Sequence, residues 1–125
     1  MNLILADTSV WADHLRYGDD LLRQLLIDRR IRMHPYVIGE LAMGNLPHRA
    51  RTLTELNAIH FVPPAADQEV MQLIEHGPHF GSGLSWVDAH LLTSVVLVPG
   101  VNLWTRDRRL NAAAEKHGRS AALHH

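Results

Sequence analysis

Residues 3–9 read Leu-Ile-Leu-Ala-Asp-Thr-Ser, a short apolar run that ends at an acid. Such a run is typical of a buried strand, and Asp7 or Thr8 is suited to cap a helix that follows at once. Short apolar runs alternate with helical patterns along the rest of the chain. This alternation predicts a central, mostly parallel sheet in a three-layer α/β/α domain, in which ligands bind at the carboxyl ends of the strands.

The other elements follow from apolar periodicity and from capping residues. Strands are predicted at 31–33 and 101–105, with brief ones near 61–62 and 119–122. Helices are predicted at 8–17, 21–28, 35–44, 48–58, 66–76, 85–96 and 108–117. The glycine-rich segment 77–85 is predicted to be a loop that leads into the sixth helix. Neither a repeat nor a linker divides the sequence, so residues 1–125 are expected to form one domain.

The composition is that of an ordinary globular protein, with 46% apolar and 20% charged residues. The chain contains no cysteine, which excludes disulfides, thiolate zinc sites and cysteine nucleophiles. No apolar run approaches the ~20 residues of a membrane helix, and residues 1–7 lack the basic start of a signal peptide. We therefore expect a cytoplasmic protein without membrane contact. His124 and His125 at the end of the sequence are compatible with an expression tag.

Four acids occupy the boundaries between apolar runs and helices: Asp7, Glu40, Asp88 and Asp107. Asp7 and Asp107 follow predicted strands, whereas Glu40 and Asp88 are expected in the first turns of their helices. If the fold brings these ends to one edge of the sheet, the four carboxylates converge and repel one another. Bound Mg²⁺ or Mn²⁺ would remove the repulsion, because hard cations prefer oxygen ligands. The four acids together therefore predict a metal site.

Each acid also has an ordinary structural explanation when it is taken alone. Asp7 and Asp107 can cap the helices that follow them. Asp88 completes a Ser-x-x-Asp capping box with Ser85. Glu40 can be a solvated residue on a helix. The predicted metal site therefore depends on the four acids sharing one edge, and no single acid establishes it.

Two hydroxyls lie close to these acids in the sequence. Ser9 follows Asp7 by two residues, and Thr105 precedes Asp107 by two residues. Either hydroxyl can orient a carboxylate or hold a metal-bound water. Capping of the local backbone is the simpler explanation for both.

Arginines near the last acid are candidates for phosphate contact. The net charge of -1 does not indicate a nucleic-acid binder, but Arg106, Arg108 and Arg109 cluster beside Asp107. Arginine suits bidentate contact with phosphate. A solvated helix start explains the cluster as well, so phosphate binding by these three arginines is a hypothesis.

The aromatic residues and the histidines give weaker signals. Trp11, Trp86 and Trp104 are expected in the core or at an interface, and Trp86 lies close enough to Asp88 to form a wall of its site. His90 is expected at the surface or at its boundary. The ten histidines are scattered without the spacing of a metal site.

Four segments of the sequence are distinctive when they are taken together. They are Asp-Thr-Ser-Val-Trp-Ala-Asp-His at 7–14, Val-Ile-Gly-Glu-Leu at 37–41, Gly-Leu-Ser-Trp-Val-Asp-Ala-His-Leu-Leu at 83–92 and Leu-Trp-Thr-Arg-Asp at 103–107. In this order the chain resembles the PIN-domain ribonucleases and, more narrowly, the VapC toxins of bacterial type II toxin–antitoxin systems. The resemblance covers nearly the whole chain.

The resemblance implies a PIN-like α/β fold, metal-dependent cleavage of transfer or ribosomal RNA, inhibition by a cognate antitoxin and a homodimer. It implies that the catalytic, metal-binding acids are Asp7, Glu40, Asp88 and Asp107. Ser9 and Thr105 become supporting hydroxyls, and Arg106, Arg108 and Arg109 become RNA contacts. Many relatives carry a further acid near the last of these acids. Here arginines flank Asp107, so one bound ion and two bound ions both remain open.

Two other functions are compatible with the fold class. A PIN-like protein that has lost catalysis would bind without cleaving, although the four acids are all present. A phosphoacceptor regulatory domain would need an acidic pair after the first strand and a lysine near a late strand end. Asp7 has no adjacent acid, and Lys116 lies deep in the last predicted helix. The sequence therefore favours the ribonuclease.

Overall fold

A three-stranded parallel sheet lies at the centre of the protein, in a computed structural model that describes residues 2–123. The strands are Leu3–Ala6 (β1), Ile31–Arg32 (β2) and Val101–Trp104 (β3). β1 lies between the other two strands, and both run parallel to it. His124 and His125, whose origin in a tag was considered above, lie outside the described residues.

The register of the sheet places the carboxyl ends of β1 and β3 side by side. Ala6 at the end of β1 pairs with Trp104 at the end of β3. The backbone N–H of Asp7 then donates to the carbonyl of Trp104 at 2.9 Å. Asp7 and Thr105 therefore leave the sheet at the same edge, which confirms the predicted topology of these two strands.

Seven helices accompany the sheet within the described residues, in the order that the sequence predicts. They are Thr8–Tyr17 (α1), Asp20–Ile27 (α2), Pro35–Ala42 (α3), Arg49–Asn57 (α4), Asp67–His76 (α5), Trp86–Leu97 (α6) and Arg108–Lys116 (α7). Side chains that accept backbone N–H groups mark the starts of five of them, including Asp7 before α1 and Asp107 before α7. The predicted three-layer α/β/α fold is confirmed.

The helix α6 is the buried centre of the helical layers. Every residue from Ala89 to Val95 is buried, because α6 packs against β3, α5 and α7. A helix enclosed in this way carries apolar residues on every side, and α6 also buries the polar His90, Thr93 and Ser94. Within residues 2–123, however, neither α6 nor any other helix combines the length and apolar character needed to cross a membrane.

The predicted strand at 119–122 is wrong. Ser120 forms one isolated parallel bridge with Leu103, and no longer ladder follows among the described residues. Ala122 adopts a left-handed backbone conformation with φ of 56°, which ends the extended run. The brief strand predicted near 61–62 is likewise reduced to one bridge, between Met33 and Phe61.

Candidate active site

Asp7 occupies the turn between β1 and α1 and is buried, with 6% of its surface exposed. Its Oδ1 accepts the backbone N–H of Ser9 at 3.0 Å and that of Val10 at 3.4 Å. The Ser9 hydroxyl donates to the same oxygen. Its Oδ2 accepts the hydroxyl of Thr105 at 2.6 Å. Both oxygens of this carboxylate are therefore held in fixed directions.

The burial of Asp7 disfavours its charged form. Burial raises the pKa of Asp7, and the hydrogen bonds from Ser9, Thr105 and Val10 offset that effect only in part. A nearby positive charge would act in the opposite direction and favour the carboxylate. A cation bound at this carboxylate would therefore offset the effect of burial.

Asp107 is joined to Asp7 through the buried Thr105. Thr105 Oγ1 donates to Asp7 and accepts the backbone N–H of Asp107 at 3.0 Å. A second link runs from the backbone N–H of Arg106 to Ser9 Oγ at 3.0 Å. Thr105 and Ser9, which the sequence suggests as supporting hydroxyls, thus lie between the first and last strand ends.

The Asp107 side chain also caps α7, as one of its ordinary explanations predicts. Its Oδ1 accepts the backbone N–H groups of Arg109 at 2.9 Å and Leu110 at 3.0 Å. Asp107 is exposed, in contrast to Asp7. An acid at the N-terminus of a helix is also favourably placed relative to the helix dipole.

Glu40 reaches the same region from α3. The sequence predicts it in the first turn of its helix, but Pro35 begins α3, so Glu40 lies in the second turn. Its Oε1 nevertheless accepts the hydroxyl of Thr8 at 2.5 Å, directly after Asp7 in the chain. The sequence did not indicate this role of Thr8, because Thr8 and Glu40 are 32 residues apart in the chain.

The start of α3 is anchored by a second buried polar network. His34 is fully buried, and its Nδ1 accepts the backbone N–H of Tyr36 at 3.0 Å. The other ring nitrogen therefore carries the proton and donates to Ser94 Oγ on α6 at 3.3 Å. Ser94 in turn donates to the carbonyl of His90 and accepts the N–H of Ala65. This His34–Ser94 network ties the helix that carries Glu40 to the buried α6.

Asp88 lies in the first turn of α6 and forms a capping box with Ser85. Asp88 N–H donates to Ser85 Oγ at 3.0 Å, and Asp88 Oδ2 accepts the N–H of Ser85 at 3.1 Å. The capping box predicted from the sequence is confirmed. Among the described residues, the hydrogen bonds of the Asp88 side chain stay within its own helix start, and they do not join it to the other three acids.

Asp7 and Asp107 are linked through Thr105 and Glu40 contacts Thr8, but the four acids do not form a preassembled cage. Within residues 2–123, no three His, Asp or Glu side chains are arranged to hold one ion. The donor chemistry nevertheless fits a hard cation. Glu40, Asp88 and Asp107 each retain one carboxylate oxygen that accepts no hydrogen bond from the described residues.

The three candidate arginines differ in what they contact. Arg106 donates through Nη1 to Asp13 and through Nη2 to Asp19, both at 2.5 Å, and 16% of its side chain is exposed. Its guanidinium is therefore held between α1 and the start of α2. The structure does not support the phosphate contact expected of Arg106, because Nη1 and Nη2 already bind these two acids. Arg108 and Arg109 are exposed. The Arg109 guanidinium lies over Gly83, whose φ of +87° and lack of a Cβ leave room for it.

The expected surface position of His90 is wrong. Only 2% of His90 is exposed, and its ring lies 4.6 Å from Tyr36 and 4.7 Å from Trp86 between ring centroids. Its Nε2 meets Asp67 Oδ1 at 2.9 Å. Trp11 and Trp104 are buried as expected. Trp86 stays partly exposed beside the capping box of Asp88.

A cleft of about 640 Å³ opens between α1, α3 and the loop after α3. Thr8 and Glu40 lie on its wall, together with apolar side chains such as Leu15 and Leu46. Nothing in the sequence patterns predicts this cleft, since it is formed by segments that meet only in the folded chain. The side chain of Glu40 can be reached from outside the protein through this cleft.

Comparison with known proteins adds an independent line of evidence. Ribonuclease VapC32 of Mycobacterium tuberculosis is 46% identical to this chain over 116 residues, in strain CDC 1551 / Oshkosh and in strain ATCC 25618 / H37Rv. The match covers 93% of this chain and 94% of each relative. No protein-family model matches the chain.

Proposed function

Because the chain belongs to the VapC ribonuclease family, we propose that it is a metal-dependent endoribonuclease toxin of a type II toxin–antitoxin system, built as one PIN-like domain over residues 1–125. The observation that carries the proposal is the link between Asp7 and Asp107 through Thr105, at the shared edge of β1 and β3. Ligands of open α/β sheets bind at this edge. The identity of 46% with a ribonuclease over 93% of the chain supports the reaction class.

Asp7, Glu40, Asp88 and Asp107 would hold one or two Mg²⁺ or Mn²⁺ ions. A bound divalent cation lowers the pKa of a coordinated water and neutralises charge on the phosphate and the leaving oxygen. The carboxylate oxygens are suitable ligands for Mg²⁺ or Mn²⁺, and a bound cation would offset the burial that raises the pKa of Asp7.

The chain's own residues position these donors and the RNA. Thr105 and Ser9 hold the two oxygens of Asp7, and Thr8 holds Glu40 against the same edge. Arg108 and Arg109 are exposed next to Asp107 and would contact the phosphate backbone. Arg106 instead keeps α1, α2 and the end of β3 together. Arg108 and Arg109 would thereby hold a phosphodiester beside the acids, and cleavage would occur there.

The proposed partners follow from the same family. The substrate would be an accessible, unpaired segment of transfer or ribosomal RNA. A cognate antitoxin would inhibit by lying in the cleft between α1 and α3, where it reaches Glu40. We also propose that the toxin forms a homodimer. Sedimentation of the purified protein with and without its antitoxin tests both assemblies.

The cleavage itself is tested with purified protein, single-stranded RNA and Mg²⁺ or Mn²⁺. Chelation should abolish cleavage, and restoring the ion should recover it. Asp88→Asn and Asp107→Asn should lower the rate by at least about a hundredfold, the scale expected when a group that stabilises transition-state charge is lost. Asp28→Asn is the matched control, because Asp28 ends α2 away from the four acids. Full activity of Asp88→Asn or activity in excess chelator would contradict the proposal.

A binding-only member of the family is the second candidate. The observation in its favour is that residues 2–123 hold no preassembled set of three metal ligands. Titration with Mn²⁺ separates the candidates, because a site that has lost catalysis should bind the ion weakly. The phosphoacceptor domain finds no support. Lys116 is the last residue of α7, at the opposite end of the helix from Asp107, and its Nζ donates to the carbonyl of Gly77.

A further inference from the structure

A small cleft lies beside the first turn of α6, next to the capping box that contains Asp88. Its volume is about 180 Å³, and it is formed by the end of α5, the loop 77–85 and the start of α6. Phe80 and Trp86 contribute aromatic walls, and the remaining lining includes Ile74 and Leu84. The proposed cleavage site makes no use of this cleft, which is called the aromatic cleft below.

The walls of the aromatic cleft are unusually exposed for large aromatic side chains. Phe80 is 65% exposed and Trp86 is 42% exposed. Trp86 is also held in place, because its ring meets the buried ring of His90 edge-on at 82°. His90 is fixed by Tyr36 on its other side and by its contact with Asp67. A supported and exposed aromatic face is suited to stacking with a flat ring.

The size of the aromatic cleft restricts what can occupy it. An apolar cavity of about 150 Å³ accommodates one benzene molecule. A cleft of about 180 Å³ therefore accommodates one flat ring system. This volume does not suit a helix or a run of several side chains. The expected occupant is a single planar group that stacks on Phe80 or Trp86.

Charge next to the aromatic cleft indicates what is attached to that planar group. The Arg109 guanidinium lies across Gly83, in the same loop that forms one side of the cleft. Arg108 is exposed beside it. On the other side of Ser85, Asp88 shares the first turn of α6 with Trp86. A planar group joined to an anion matches this arrangement, and a nucleotide combines the two.

We propose that the aromatic cleft binds one unpaired nucleobase of the RNA substrate, while Arg109 contacts an adjoining phosphate. The proposal rests on the ribonuclease function proposed above and names the part of the substrate that this site selects. A base inside a duplex cannot enter the cleft, so the RNA must be single-stranded beside the cleaved bond. Stacking tolerates different bases, and the cleft therefore selects for an unpaired state more than for a sequence.

Trp86 itself reports binding. The protein has three tryptophans, of which Trp11 is 2% and Trp104 is 1% exposed, so a bound base should quench mainly Trp86. Asp7→Asn protein is titrated in Mg²⁺ with single-stranded oligoadenylate, and separately with the duplex of oligoadenylate and oligouridylate. We expect the single strand to quench the fluorescence and the duplex to leave it nearly unchanged. Trp86→Phe in the same background should remove the quenching signal while retaining a ring.

Affinity and cleavage are then measured on variants of the walls. Trp86→Ala and Phe80→Ala should each weaken binding of single-stranded RNA roughly tenfold, the scale of one lost stacking contact. With otherwise wild-type protein, the same changes should raise KM more than they lower kcat. Tyr17→Ala is the matched control, because Tyr17 is 74% exposed at the last residue of α1. Thermal unfolding identifies any variant that fails to fold, and Trp86→Phe serves as the conservative replacement.

The outcomes separate this proposal from the ribonuclease function. Wild-type protein could cleave RNA while single strands fail to quench Trp86 and bind to Phe80→Ala as tightly as to the parent protein. In that case the aromatic cleft is not a base site. Equal quenching by the duplex would also overturn the proposal. If single strands quench Trp86 while wild-type protein with Mg²⁺ or Mn²⁺ does not cleave, the base site is supported and the ribonuclease function fails.

Discussion

The link between Asp7 and Asp107 and the His34–Ser94 network are both buried polar arrangements, but they differ in completeness. In the His34–Ser94 network, each ring nitrogen of the neutral His34 and the Ser94 hydroxyl have partners of the right kind. Around Asp7, both carboxylate oxygens accept hydrogen bonds, yet burial still raises the pKa of Asp7 and disfavours its charge. A satisfied buried network stabilises the fold, whereas a buried carboxylate whose charge is disfavoured by burial is stabilised when a cation binds to it. The difference separates a structural anchor from a candidate active site.

Removing the anchor should have the largest effect on stability. His34→Ala deletes the cap of α3, opens a cavity and leaves Ser94 without its donor, so unfolding should become easier by about 4 kcal/mol. His34→Asn should cost about half of that, because an amide oxygen can still accept the N–H of Tyr36. Urea unfolding near neutral pH measures both. If the two variants are equally stable, the ring is not the anchor of α3.

Acid should weaken the same anchor. Burial and the neighbouring His90 lower the pKa of His34 to about 4, from 6.5. The unfolded chain therefore takes up a proton between these pH values before the folded protein does, and stability falls as the pH falls through this window. The loss attributable to His34 should be about 3 kcal/mol. His34→Asn should show a correspondingly shallower dependence on pH, and identical pH profiles would contradict this role of His34.

The hydroxyl of Thr105 should matter both for stability and for cleavage. Thr105→Val keeps the shape of the side chain but leaves Asp7 Oδ2 and the N–H of Asp107 without this partner. We expect unfolding to become easier by about 2 kcal/mol, and cleavage to fall roughly tenfold. Thr105→Ser should restore both properties. A valine variant with full activity would show that Thr105 does not position the two acids.

Replacing Asp7 should change the stability in the opposite direction to the other substitutions, and by the smallest amount. Because the pKa of Asp7 is raised above its usual 3.8, its ionised form at neutral pH opposes folding. Asp7→Asn removes this charge, so the metal-free variant should be at least as stable as the wild type. Unfolding is measured in chelator, with Asp28→Asn as the control. Destabilisation comparable to that of His34→Ala would mean that Asp7 is mainly a structural cap.

The positions of Asp7 and Asp107 at one edge followed from the sequence because each comes within three residues of the end of a strand. Helix positions followed for the same local reason, as the caps Asp7, Ser85 and Asp107 lie in the sequence next to the helices they start. Local patterns of this kind depend on a few neighbouring residues. Most of the fold could therefore be predicted.

The features that could not be predicted depend on partners far away in the chain. Arg106 lies beside Asp107 in sequence, yet its guanidinium contacts Asp13 and Asp19, which are 93 and 87 residues away. His90 interrupts an apolar helix and was expected at the surface, but α6 is enclosed on all sides and Tyr36 covers it. No local pattern contains these contacts, since they arise only when the layers pack.

The most direct test is the rate of RNA cleavage by wild-type protein and by Asp7→Asn in the same concentration of Mg²⁺ or Mn²⁺. Both proteins must be folded, which the unfolding measurement in chelator establishes beforehand. We expect cleavage by the wild type, loss of that cleavage in chelator, and no measurable cleavage by Asp7→Asn, which should be at least as stable as the wild type. Cleavage by Asp7→Asn at the wild-type rate would contradict it.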